Sequence, residues 1–200
     1  MKIYSNHEFE LWKGTNNKIQ FNNESKSLLK SVSRIILGST VSNEYKSITF
    51  RAENIMPFFQ SELKTDAFGL IFFLSKQLEY LIKVEKKCFY KINPDNIFII
   101  DSKVVYLSNE YLTDINENKV VIKYPFTKNE FDSPEILGLN TLPAEIHYKA
   151  VYYSLASIIK YFFRENLKYE SLELLEGTKL LGFLKRCLHV VPEKRALLFI

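Results

Sequence analysis

The chain has only two cysteines, Cys88 and Cys187, and neither stands in a Cys-x-x-Cys or Cys/His cluster. That argues against a disulfide framework or a structural zinc site and fits a reducing compartment. Glycine is scarce too, with Gly14 and Gly38 alone before Gly69. A phosphate-covering loop needs several glycines close together, so the N-terminal third holds none. Long apolar runs are missing. The longest stretches, around Ala67–Leu74 and Ala150–Phe163, are interrupted by Gly69 and Lys160 and are too short to span a bilayer. The opening MKIYSNHEFELWKG lacks the apolar region of a secretory signal. Charge of one sign is not in large excess. The net +4 comes from 27 basic and 23 acidic residues interspersed along the chain, whereas a nucleic-acid binder concentrates its positive charge. The expectation is a soluble, cytoplasmic protein that contacts neither nucleic acid nor membrane.

What is present suits a packed core. Apolar residues make up 46% of the chain and charged residues 25%, enough for one domain or two small lobes. The wealth of Asn, Lys, Ile, Phe and Tyr fits an AT-rich genome such as those of viruses and some parasites. Strands are expected at Glu8–Lys13, Lys18–Phe21 and Lys46–Phe50, with an amphipathic helix over Ser25–Leu37. The apolar positions of that helix are Leu28, Leu29, Val32, Ile35 and Ile36. A second helix, capped by Thr65 and running through Leu81, carries a stripe of Phe68, Ile71, Leu74, Leu78 and Leu81. A hairpin of Ile97–Ile100 and Val104–Leu107 follows the turn KINPDN. An irregular span covers Ser108 to Pro143. A buried helix is expected over Glu145–Phe163, and shorter ones at Ser171–Glu176 and Thr178–His189.

Four ordered motifs stand among these elements. CFYKINPDNIFII places Pro94, Asp95 and Asn96 before an aliphatic strand, VVYLSNEYL holds Asn109, Ser133-Pro134-Glu135 follows, and CLHVVPEKR ends the set with Arg195. In this order they resemble the C-terminal lobe of a protein kinase over residues 57–200. Pro94, Asp95 and Asn96 match the end of the catalytic loop, Glu135 the close of the activation segment, and Arg195 the arginine of the last helices. AVYYSLASII resembles the central helix, with Val151 and Ala156 replacing its Asp and Gly.

The resemblance implies an α+β, protein kinase-like fold. Residues 1–56 would be a truncated N-lobe-like segment, a reduced α/β piece. Residues 57–200 would be a mostly helical C-lobe with a short β-hairpin. It also implies degenerate chemistry. Lys91 stands where the family has its catalytic Asp, and a lysine amine is protonated in neutral water. Asn109 stands where a metal-binding Asp belongs, and an amide oxygen is a weaker magnesium ligand than a carboxylate. Only Asn96 keeps a family identity there. Pro94, Glu135 and Arg195 would be structural, the last two as a buried ion pair. The implied protein is a catalytically inactive pseudokinase without cofactor or metal. It would act as a protein-interaction module, regulating or inhibiting a kinase or its pathway by mimicry of a kinase lobe. Its partner would be a protein kinase or a kinase substrate, with no oligomeric state implied. The alternative is a nucleotide-binding sensor or weak atypical kinase using Asn96 and Asn109 as neutral metal ligands.

Overall fold

Alternation of apolar and polar residues in the first fifty positions builds an antiparallel sheet. In the computed structural model, which describes residues 1–60, 67–167 and 175–198, this sheet has five strands. They are β1 (Lys2–Ser5), β2 (Phe9–Trp12), β3 (Asn17–Phe21), β4 (Thr40–Val41) and β5 (Ser47–Phe50), in the order β1-β2-β3-β5-β4. Phe9 pairs with Phe21, Leu11 with Ile19, and Ile19 with Ile48 across the strands, and all five side chains are buried. The helix α1 (Lys26–Ser33) covers this apolar set with Leu28, Leu29 and Val32, and the turn after it buries Ile35 and Ile36. The three expected strands and the helix stripe therefore form. β1 has no buried position and β4 only two residues, so neither gives an alternation to read.

The chain makes two compact units whose segments alternate along the sequence. Met1–Ser61, Phe72–Lys86 and Pro94–Glu110 form the first, and Glu62–Ile71, Lys87–Asn93 and Tyr111–Ile200 the second. Within the first unit, β6 (Ile55–Pro57), β8 (Ile97–Ile100) and β9 (Lys103–Tyr106) make a second antiparallel sheet. β8 and β9 are the expected hairpin, turned by Asp101 at φ 53°. The Asp101 carboxylate accepts from the Glu53 and Asn54 amides at 3.0 Å each, which ties the hairpin to the segment before β6.

The expected helix after Thr65 alternates α-helical turns, α2 (Ala67–Gly69) and α3 (Ser75–Tyr80), with π-helical turns Leu70–Leu74 and Leu81–Glu85. Ile71, Leu74, Leu78 and Leu81 are buried, whereas Phe68 is exposed, because π turns shift the register of a 3.6-residue stripe. Thr65, and residues 171–174 of the helix expected at Ser171–Glu176, lie outside the described residues. Gln77, fully buried, donates to Ser31 Oγ and to the Tyr106 carbonyl and accepts from the Tyr106 amide. Every hydrogen bond it makes crosses between elements of the first unit.

Glu85 closes the same unit from the side. It accepts from Ser27 Oγ at 2.9 Å and Tyr80 Oη at 3.0 Å, and Lys30 Nζ lies 3.4 Å away. Burial pushes its carboxyl upward, but these hydroxyl and ammonium donors outweigh that and hold it below the ordinary range. The unfolded chain then binds a proton here more readily than the native one. The contribution to stability is present above the unfolded carboxyl pKa and is lost as pH falls through the folded one. Glu85→Gln should cost about 1 kcal/mol at neutral pH and flatten this acid limb, both read from urea unfolding at several pH values.

In the second unit, β7 (Lys87–Phe89) pairs with β10 (Leu112–Asp114), and β11 (Lys119–Ile122) with β12 (Ala144–His147). The short helix α4 (Pro134–Leu137) precedes α5 (Ala150–Leu167), which buries Val151, Leu155, Ile158, Ile159 and Phe162. α6 (Lys179–Cys187) packs on α5 and is capped by Thr178 Oγ1, which accepts from the Leu181 amide. This corrects two expectations. The span from Ser108 to Pro143 is not irregular, since it holds β10, β11 and α4. The helix expected from Glu145 begins at Ala150, because Ile146 and Ala150 lie at helical spacing although Ile146 belongs to a strand. The fold is α+β with antiparallel sheets throughout.

Both thiols lie inside this unit. Burial pushes Cys88 far above the usual thiol range and Cys187 to about 12. Each is fully buried, and Cys187 donates to the Ala196 carbonyl at 3.2 Å. Neither forms thiolate at neutral pH, and neither meets reagent in the native state. Ellman's reagent should therefore titrate no thiol in buffer and both in denaturing guanidinium.

Candidate functional site

The residues singled out by sequence fall into two neighbourhoods, one in each unit. In the second, Lys91 leaves β7 and turns inward. Its side chain is 1% exposed, and its ammonium donates to Asp132 Oδ2 at 2.9 Å and to the Thr127 carbonyl at 2.7 Å. The rings of Tyr111 and Phe126 lie 5.2 Å from the ammonium, so two π faces complete its surroundings. Asp132 also accepts from the Asn129 amide at 2.9 Å. Its other oxygen, Oδ1, is buried with no hydrogen-bond partner among the described residues. Sequence reading missed Asp132, which stands 41 residues from Lys91 with no local signal linking them.

Three residues on, Glu135 meets Arg195. The guanidinium grips the carboxylate through two contacts, Nη1 to Oε1 at 2.5 Å and Nη2 to Oε2 at 2.9 Å. Arg195 is wholly buried, whereas the Glu135 side chain keeps 18% exposure. Arg195 also donates Nε to the His189 carbonyl at 2.8 Å, and reaches the carbonyls of Lys149 and Val190 at 3.3 Å. The Tyr153 ring lies 5.2 Å from its Cζ. A planar fork suits this site, since its donors point in fixed directions toward one carboxylate and three carbonyls. The clamp joins the start of α4 to the residue that ends the Pro192–Lys194 turn.

In the first unit, Pro94–Asn96 forms a single 3-10 turn. Asn96 Oδ1 accepts from Asn6 Nδ2 at 3.2 Å, and the Asn6 side chain in turn receives the Glu8 and Phe9 amides. Glu8 accepts from Ser108 Oγ at 2.5 Å and from the Asn109 amide at 2.6 Å. Asn109 Nδ2 donates to Ser25 Oγ at 2.5 Å. Asn96 and Asn109 thus belong to one hydrogen-bond chain running through Asn6 and Glu8. Beside it, His7, Glu8 and Glu110 place one ligand atom each within 4.8 Å of one another, a set that could hold a divalent cation. His7 Nε2 lies 3.9 Å from a Glu110 carboxylate oxygen, an approach that is an ion pair only when the imidazole is protonated.

No protein-family model matches the sequence, and no curated protein matches it. The resemblance to a protein kinase is therefore corrected: the structure is an α+β fold whose N-terminal portion is a five-stranded antiparallel sheet, and no kinase family is recovered. The motifs that carried it have local causes. Pro94, Pro134 and Pro192 each stand at the start of a short helical turn, where a fixed φ and a missing amide hydrogen are favourable in any fold. Helix starts led by proline and followed by Asp or Glu recur widely, because acidic side chains complement the N-terminal dipole. The mimicry of a kinase lobe falls with the resemblance.

Proposed function

We propose that this chain acts by binding another protein, and that its buried polar groups serve to hold a binding surface rather than to catalyse a reaction. The observation that supports this reading is the clamp between Glu135 and Arg195 together with what its two ends expose. Leu137, two residues past Glu135, is 46% exposed, and Val190 and Val191, on the Arg195 side, are 76% and 41% exposed. Large apolar side chains left in water on segments pinned by a partly buried ion pair lose little freedom on docking. They are suitable anchors for a partner's apolar surface.

The acid–base groups nearby are occupied. Lys91 and Asp132 neutralise one another, and Glu135 is held by Arg195. A nucleotide sensor would need Asn96 and Asn109 to leave Asn6 and Ser25, which favours the binding reading over that alternative.

The test has two arms. The full chain, immobilised, should saturably enrich a protein that then binds purified chain in a defined ratio. Leu137→Asp and Val190→Asp should each weaken that complex. In parallel, ATP with magnesium should leave the melting temperature unchanged. A rise by mass action would favour the nucleotide reading. A folded chain that enriches no protein above an unfolded control would defeat the proposal.

A further inference from the structure

The turn between β1 and β2 and the segment after β9 both belong to the first unit, and they bring three metal-ligating side chains together. His7, Glu8 and Glu110 each offer one ligand atom, and all three atoms lie within 4.8 Å of one another. Among the described residues no other three His, Cys, Asp or Glu side chains converge in this way. Glu8 is the fixed member. Its two oxygens accept from Ser108 Oγ and the Asn109 amide, and each keeps a lone pair for an ion. Donors of this kind behind a carboxylate are what orients a metal ligand. His7 and Glu110 are the movable members, with side chains 73% and 40% exposed. Their approach at 3.9 Å is too long for a hydrogen bond, so neither is spent on the other. Neither Glu8 nor Glu110 pairs with a lysine or arginine among the described residues, which leaves two neighbouring carboxylates without a permanent cation.

We propose that His7, Glu8 and Glu110 bind a divalent transition-metal ion, of which zinc(II) fits best, with water completing its coordination. The donor set selects the class. One imidazole nitrogen and two carboxylate oxygens suit zinc, whereas magnesium and calcium take oxygen ligands and more of them. The two carboxylate charges also offset those of a dication. Zinc bonds of about 2.0–2.2 Å place neighbouring ligand atoms roughly 3.3 Å apart, so His7 and Glu110 need to swing toward Glu8 by about an ångström. Exposed side chains can make that movement without disturbing the core. The bound ion ties the β1–β2 turn to the segment after β9, two places far apart in the chain. This site lies in the first unit and does not depend on the protein-binding reading, which rests on residues of the second.

The experiment uses the full chain, free of any affinity tag and stripped with chelator, titrated with zinc chloride in a calorimeter. Uptake should saturate at a single ion per chain, and the melting temperature should rise with zinc concentration by mass action. Magnesium and calcium at the same concentrations should do neither. His7→Ala and Glu110→Gln should each weaken zinc by at least about tenfold. Both side chains are exposed, so the metal-free variants should melt with the parent. Cobalt(II) in place of zinc should show d–d absorption without a thiolate charge-transfer band, since the ligands are nitrogen and oxygen. Absence of saturable zinc uptake would overturn the proposal, as would uptake indifferent to both substitutions. An equal response to magnesium would overturn the choice of a transition metal, and a thiolate band would move the ion to a cysteine. Each of these failures leaves the protein-binding reading standing.

Discussion

Glu135→Ala is expected to lower the free energy of unfolding by about 3–5 kcal/mol, because it strands a buried guanidinium. Arg195 has no exposure, and its remaining partners are the carbonyls of His189, Lys149 and Val190. Neutral dipoles cannot replace a full negative charge at 2.5–2.9 Å. Glu135→Gln should cost less, since one carbonyl oxygen remains to accept. Arg195→Lys should recover little, because a single ammonium cannot meet both carboxylate oxygens and three backbone carbonyls. Urea unfolding of the three variants orders them. A Glu135→Ala protein as stable as the parent would show that the guanidinium is not sealed from water. The same variant should weaken partner binding out of proportion to its location, because Leu137 and Val190 are positioned through this pair.

Asp132→Ala should be comparably severe, again about 3–5 kcal/mol, with Lys91 now the stranded charge. Its ammonium would keep the Thr127 carbonyl and the flanking rings of Tyr111 and Phe126 and lose its only counter-ion among the described residues. The informative comparison is the double substitution Lys91→Met with Asp132→Leu. Removing both charges removes two desolvation penalties at once, and apolar replacements of similar volume in such sites are often neutral or stabilising by about 1–4 kcal/mol. The double variant should therefore be far more stable than Asp132→Ala. A double-mutant cycle in which the two changes simply add would mean that the pair is not coupled. Asp132 Oδ1, which lacks a partner among the described residues, gives a further reason to expect the apolar pair to be tolerated.

The periodic elements were legible in the sequence. Leu28, Leu29, Val32, Ile35 and Ile36 gave the face of α1, and the alternation in β2, β3 and β5 gave the inner layer of the sheet, because period and burial are local properties. The pairing of Glu135 with Arg195, 60 residues apart, has no local signal, and the kinase resemblance that implies it does not hold for this fold. Three kinds of feature stayed hidden. β1 and β4 are edge strands with no buried stripe. The π turns at Leu70–Leu74 and Leu81–Glu85 break a stripe that reads as continuous. The partner of Lys91 is the third, since an ion pair closed over 41 residues depends on tertiary structure alone. Short proline-led motifs misled for the converse reason: a helix start is the same local solution in many folds.

The interleaving of the two units along the chain has a practical outcome for dissection. The polypeptide changes unit at 61/62, 71/72, 86/87, 93/94 and 110/111. A fragment cut after any residue from 62 to 109 carries part of each unit and the whole of neither, whereas a cut at 110/111 keeps the first unit whole together with two pieces of the second. Truncation is thus the wrong tool for testing the proposed binding surface, whereas surface point substitutions leave both cores intact. Limited proteolysis should likewise release no autonomous half that retains the cooperative melting of the parent.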